Sequence, residues 1–135
     1  MFWVKIILLI VATLIALLYS IYHFWAAITR LRLGRILKRA RERGEQWILL
    51  THESYETGRK GDYHKSIELA EKAIELNPRA SEAWRLIGNA YELLGDQMEE
   101  NSNYEQTVEY HKRATEAWKR AKEIDPKIII PFYHR

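Results

Sequence analysis

Hydrophobic residues run almost without interruption through the opening of the chain: from Ile6 to Ile28 there is no Asp, Glu, Lys or Arg. At about 1.5 Å of rise per residue that stretch reaches roughly 34 Å, enough to cross a hydrocarbon core of about 30 Å, so residues 1–29 read as one transmembrane helix. Phe2 and Trp3 at one edge, and Tyr19, Tyr22, Phe24 and Trp25 toward the other, put amphipathic rings at headgroup depth. Lys5 can extend its stem outward past the apolar run. His23, one turn from the boundary among aromatic rings, reads as an interfacial histidine rather than a ligand or proton carrier. A cleaved signal peptide is the alternative, but the run is too long and no small-x-small cleavage site follows it.

The pattern then changes to a helical period. Leu33, Ile36, Leu37, Ala40, Gly44 and Trp47 fall near one face, with Arg32, Arg35, Arg39 and Arg43 around the others. Residues 30–46 are therefore expected to form a basic amphipathic juxtamembrane helix, free to continue from the span. Gly34 and Gly44 weaken that helix by about 1 kcal/mol each relative to Ala and are not expected to end it. Charge sharpens the picture. The net charge of the chain is only +3, yet Arg30 to Arg43 carry +6, which leaves −4 from Gly44 onward once Lys5 is counted. Arg30, Arg32, Arg35, Lys38 and Arg39 accordingly read as contacts to anionic lipid headgroups, each of about 1 kcal/mol near the surface. Nucleic-acid binding competes for such a cluster, but a tether would confine it to the membrane face. The excess of Lys and Arg after the span predicts a short N-terminus outside and the remainder cytoplasmic.

From residue 47 to 126 the chain repeats itself. Gly61-Asp62 and Gly95-Asp96 stand 34 residues apart, and so do Leu50 and Trp84. The second copy reads Ala83-Trp84-x-x-Ile87-Gly88-x-x-Tyr91, then Leu94-Gly95-Asp96. The first has Leu50, Ser54 and Thr57 at the matching places, then Gly61-Asp62-Tyr63, Ser66, Ala70, Ala73 and the ending Ile74-Glu75-Leu76-Asn77-Pro78. Small residues such as Gly88, Ala73 and Ala121 let helices approach, while Trp84, Tyr91 and Trp118 fill the spaces between turns. Pro78 and Pro126 stop the helices before them. This pattern resembles the tetratricopeptide repeat family, whose period is about 34 residues. Pro126 lies 48 residues after Pro78, so the second copy is expected to start its final helix early, behind a capping box at Ser102-x-x-Glu105, and to make that helix unusually long. A coiled coil is the other all-α arrangement, but the Gly-Asp turns and the internal prolines interrupt a rod. After Pro126, residues 127–135 are too short and too β-branched for a helix and form an apolar tail. Its Ile128, Ile129, Ile130 and Phe132 are expected to pack on the final helix near Trp118 or on a partner subunit.

The expected architecture is thus all-α: one transmembrane helix, then about two tetratricopeptide-like helix pairs. No nucleophile, phosphate-loop or metal-ligand motif appears. His52-Glu53-x-x-Glu56 lacks the second histidine of a zincin helix, and His64, His111 and His134 have no partnered ligand spacing. Without cysteine there is no disulfide or thiolate site. Enzyme activity, cofactors, metal, nucleic acid and small-molecule substrates are not expected. What the resemblance implies is protein binding in the groove lined by the first helix of each pair. Thr51, Tyr55 and Arg59 in the first pair, and Arg85, Asn89 and Glu92 in the second, would face that groove, with Arg85 and Asn89 placed to hold a carboxylate together. Ile129 and Phe132 complete the expected partner-binding set. Partners are expected to be other subunits, themselves membrane proteins. Ala12, Ala16 and Ser20, at four-residue intervals in the span, fit association with other spans. Two functions follow: an accessory or scaffold subunit of a membrane complex, or a transient adaptor that recruits a soluble partner or peptide.

Overall fold

The uninterrupted apolar run and the basic stretch after it form one helix, α1, over Phe2–Arg43. The structure, a computed structural model, describes residues 2–130. Phe132 and the rest of the C-terminal segment lie outside the described residues. Four further helices complete the described chain: α2, Gln46–Arg59; α3, Tyr63–Leu76; α4, Ser81–Glu100; and α5, Tyr104–Ile124. The chain divides into two units, the first holding α1 up to Arg39 and the second the last turn of α1 together with α2–α5.

In the first unit the stretch from Ile6 onward is long and apolar enough to cross a membrane, and none of its most apolar part is buried. The serine and threonine hydroxyls within it are satisfied by the helix itself. Thr13 donates to the Ile10 carbonyl at 2.8 Å, Ser20 to Ala16 at 2.9 Å and Thr29 to Trp25 at 2.9 Å, as polar groups in an apolar medium require. His23 lies against the rings of Tyr19 and Tyr22.

Gly44 does end the helix, contrary to expectation. It adopts φ +67°, and the Gly44 and Glu45 amides donate back to the Arg41 and Ala40 carbonyls. That paired return is the Schellman stop, in which glycine enters the left-handed region without steric cost. The device recurs at Gly61, φ +89°, where Gly61 and Asp62 donate to Gly58 and Thr57. Asp62 then caps α3 by accepting from the Lys65 amide at 3.1 Å.

Gly95-Asp96 does not repeat this turn. Helix α4 runs straight through it, and the stop falls at Ser102, φ 57°, with Ser102 and Asn103 donating to Glu99 and Met98. The cap of α5 is Asn103, whose Oδ1 accepts from Gln106, one position after the Ser102-x-x-Glu105 box expected from sequence. The extra residues are therefore shared between both helices: α4 has 20 residues and α5 has 21, against 14 each for α2 and α3. The ends agree with the repeat. Asn77 and Asp125 are both extended, both donate to an alanine one turn back, and both accept from the amide two residues on.

Helix α4 is the centre of the second unit. It packs on α3 and on α5, while α2 packs on α3 and touches α4. The core is rich in alanine: Ala70, Ala73, Ala83, Ala114 and Ala121 are fully buried. Small side chains bring the helices close, and Trp47, Leu50, Trp84, Trp118 and Tyr91 fill the gaps. The closest approaches are Ser54 and Gly88, at equivalent places in the two copies. Ser54 and Ser66 donate to one another's carbonyls at 2.8 and 2.9 Å. At Gly88 an added Cβ would fall 2.3 Å from the Trp118 ring.

Candidate functional site

Among the described residues the repeat unit carries several recesses, two of which bear on partner binding. One, of about 180 Å³, lies between the first helices of the two pairs and is lined by Tyr55 and Arg59 of α2, Tyr63 of α3, and Leu86, Asn89 and Leu93 of α4. Three of the residues expected in a partner groove, Tyr55, Arg59 and Asn89, meet here. Tyr55 and Arg59 are exposed. Asn89 turns its Oδ1 toward the Trp118 indole, which donates at 3.1 Å, so the amide NH2 remains as its donor for the recess.

The other expected members are placed differently. Thr51 is buried and donates to the Trp47 carbonyl. Arg85 is held in a two-pronged pair by Glu82 of its own helix, with Nε at 2.9 Å from Oε2 and Nη2 on Oε1. Hydrogen bonding to Glu82 raises the Arg85 pKa above its ordinary value, so the guanidinium is charged and already engaged. A carboxylate seeking Arg85 and Asn89 together must first displace Glu82. Glu92 does not face the recess. It is buried against α5 and lies 2.8 Å from His111 Nδ1. Ile129 is 82 % exposed, whereas Ile128 and Ile130 pack with Ala114, Trp118 and Ala121. The basic residues Arg30, Arg32, Arg35, Lys38 and Arg39 are all exposed on α1.

The second recess, of about 670 Å³, has no counterpart in the sequence reading. Helices α3 and α5 both lean on α4 without packing on one another among the described residues, which leaves a trough between them. Its floor is Trp84, Ile87 and Tyr91 of α4; Glu71 and Glu75 rim it from α3, and Arg113, Glu116 and Arg120 from α5. The Arg113 guanidinium sits 5.7 Å over the Tyr91 ring and is hydrogen-bonded to Glu109 at 2.8 Å. Along the sequence these rim residues look like solvated helix faces and the floor looks like core. Only the omission of contact between α3 and α5 converts them into a trough, with an acidic wall on α3 and a wall of mixed charge on α5.

A family model described as a tetratricopeptide repeat matches residues 69–100, from within α3 to the end of α4. None of the curated proteins matches the chain. The match supports a repeat of this type and, with it, a module that takes protein partners.

Proposed function

We propose that this chain is a membrane-anchored protein-interaction module serving as an accessory or scaffold subunit of a membrane complex. The observation that carries the reading is α1: an apolar helix of membrane-spanning length, uncovered, on the same chain as a helical repeat with open recesses. So much apolar surface is favourable only in lipid or against other apolar helices. Ala12, Ala16 and Ser20 offer close approach to a neighbouring span. Tyr55, Arg59 and Asn89 are the proposed partner contacts in the smaller recess, with Arg85 joining them if Glu82 is displaced. A transient adaptor is the second reading, favoured by the exposed Arg59 beside the Asn89 amide donor, a pairing suited to an anionic peptide segment.

Extraction from native membranes in a gentle detergent tests this. A stable stoichiometric assembly, weakened by Tyr55→Ala with Arg59→Glu, is the expected result. Dissociation with rapid exchange would favour the adaptor, and recovery of the chain alone under both gentle extraction and cross-linking would overturn both readings.

A further inference from the structure

The stretch that departs from the repeat period builds a cluster of its own. Along the lengthened α4, Glu92, Asp96 and Glu99 follow one another at intervals of four and three, which keeps them on one face. His111 of the lengthened α5 comes against that face. Gly95 makes the approach possible: a Cβ there would fall 2.7 Å from His111 Cε1 and 2.9 Å from Nδ1, so the imidazole lies directly on the α4 backbone. Nδ1 is 2.8 Å from Glu92 Oε2, and Glu92 is only 7 % exposed. One ligand atom from each of Asp96, Glu99 and His111 lies within 4.8 Å of the others.

We propose that Asp96, Glu99 and His111 bind a divalent transition-metal cation of the zinc class. The proposal is independent of the partner reading above. The donor set is one imidazole nitrogen and two carboxylates. Imidazole selects zinc and its neighbours over magnesium and calcium, which take all-oxygen sites, and two carboxylates neutralise the dication. Glu92 is the positioning residue. As a carboxylate it accepts the Nδ1 proton, which fixes the tautomer and leaves the Nε2 lone pair for the cation. Donors at about 2.0–2.2 Å from zinc stand roughly 3.4 Å apart in a tetrahedron, so separations of up to 4.8 Å shorten by as much as about 1.4 Å as the carboxylates close inward on binding. Asp96 is half-buried and Glu99 exposed, so their side chains have room to do so. Water completes the coordination. Bound there, the cation would clasp the free ends of α4 and α5 beside the Ser102 turn.

The test uses the full chain in detergent, untagged and stripped with a chelator, titrated with Co2+ read by its visible absorption and then competed with Zn2+. One saturable site per chain is expected, with a rise in melting temperature on adding Zn2+. Asp96→Asn combined with Glu99→Gln should weaken binding at least about tenfold without unfolding the chain, since neither side chain is fully buried. His111→Ala should abolish it, and His52→Ala and His64→Ala should leave it unchanged. Glu92→Gln should keep the Co2+ spectrum but lower affinity by about 10- to 100-fold, an effect that loss of packing alone would not confine to metal binding. No saturable binding by the parent chain, or binding that survives the Asp96→Asn, Glu99→Gln change, would overturn the proposal.

Discussion

Gly88 shows how much one missing side chain controls. Its place on α4 is occupied by the Trp118 indole, whose Nε1 also donates to Asn89, so a Cβ at 88 would strike a buried ring rather than a mobile chain end. Gly88→Ala should therefore displace Trp118, break its bond to Asn89 and lower the stability of the repeat unit by about 1–3 kcal/mol. Tryptophan-monitored denaturation of the full chain in detergent reads this directly. An unchanged midpoint would mean that the α4–α5 contact is misplaced. A second residue-scale expectation concerns charge. Glu68 is drawn down to about 2, first by its hydrogen bond to Lys65 and then by that to Lys72, which lie at 2.8 and 2.6 Å. An unfolded glutamate titrates near about 4.3, so the folded chain holds this carboxylate charged through a lower range of pH. The sign follows: the contribution is complete above about 4.3 and fades as pH falls toward about 2. The pair is open to solvent, so its effect is screened by salt. Carboxyl NMR should show Glu68 titrating below the other surface glutamates at low salt, rising on Lys72→Met and on adding salt. Titration with the rest would show that the pairs do not persist in solution.

Among the elements, most helices were legible because their ends carry local chemistry. Gly61 with Asp62 supplies a left-handed stop followed by a cap, and Asn77-Pro78 and Asp125-Pro126 supply two matching ends. The position of the longer turn was not legible. Gly95-Asp96 looks like Gly61-Asp62, but Gly95 is used for approach to His111 rather than for positive φ, and the left-handed residue is a serine, Ser102. Nothing local in the sequence distinguishes these two uses of glycine, since the difference lies in what α5 brings opposite. The site was legible to the same extent. Helical spacing brings Tyr55, Arg59 and Asn89 to one recess, but it does not register that Arg85 is taken by Glu82 or that Glu92 has swung toward His111. The described part of the tail is extended: Ile128 and Ile130 are buried and Ile129 between them is exposed, the alternation of a β-like chain. Ile128→Ser and Ile130→Ser should each cost about 1.5–3 kcal/mol, whereas Ile129→Ser should stay within about 0.5 kcal/mol. Equal costs at all three positions, measured by denaturation, would contradict the packing on Trp118. Loss of copurification on Ile129→Ser with unchanged stability would instead mark Ile129 as a partner contact.

For the whole molecule, the distribution of charge matters more than its sum. The +6 between Arg30 and Arg43 follows directly on the apolar stretch of α1, and all seven cations of that segment are exposed. Basic residues within about 15–20 positions of a span resist translocation, so the proposed topology puts the repeat unit on the cytoplasmic side. The same cations would gain from anionic headgroups there, so topology and lipid contact favour one arrangement. The repeat unit from Gly44 onward, with its net −4, adds little to this choice, because acidic residues contribute weakly to orientation. The chain has no cysteine, so a single exposed one introduced as Lys119→Cys reports its own side of the membrane. In sealed right-side-out vesicles a membrane-impermeant maleimide should leave it unlabelled until the bilayer is permeabilised, and in inverted vesicles it should label at once. Replacing Arg30, Arg32, Arg35, Lys38 and Arg39 by glutamine should produce a mixed population, part of it labelled from outside. Immediate labelling of the parent Lys119→Cys chain in right-side-out vesicles would reverse the orientation, and full release of the chain by alkaline carbonate would remove the span itself.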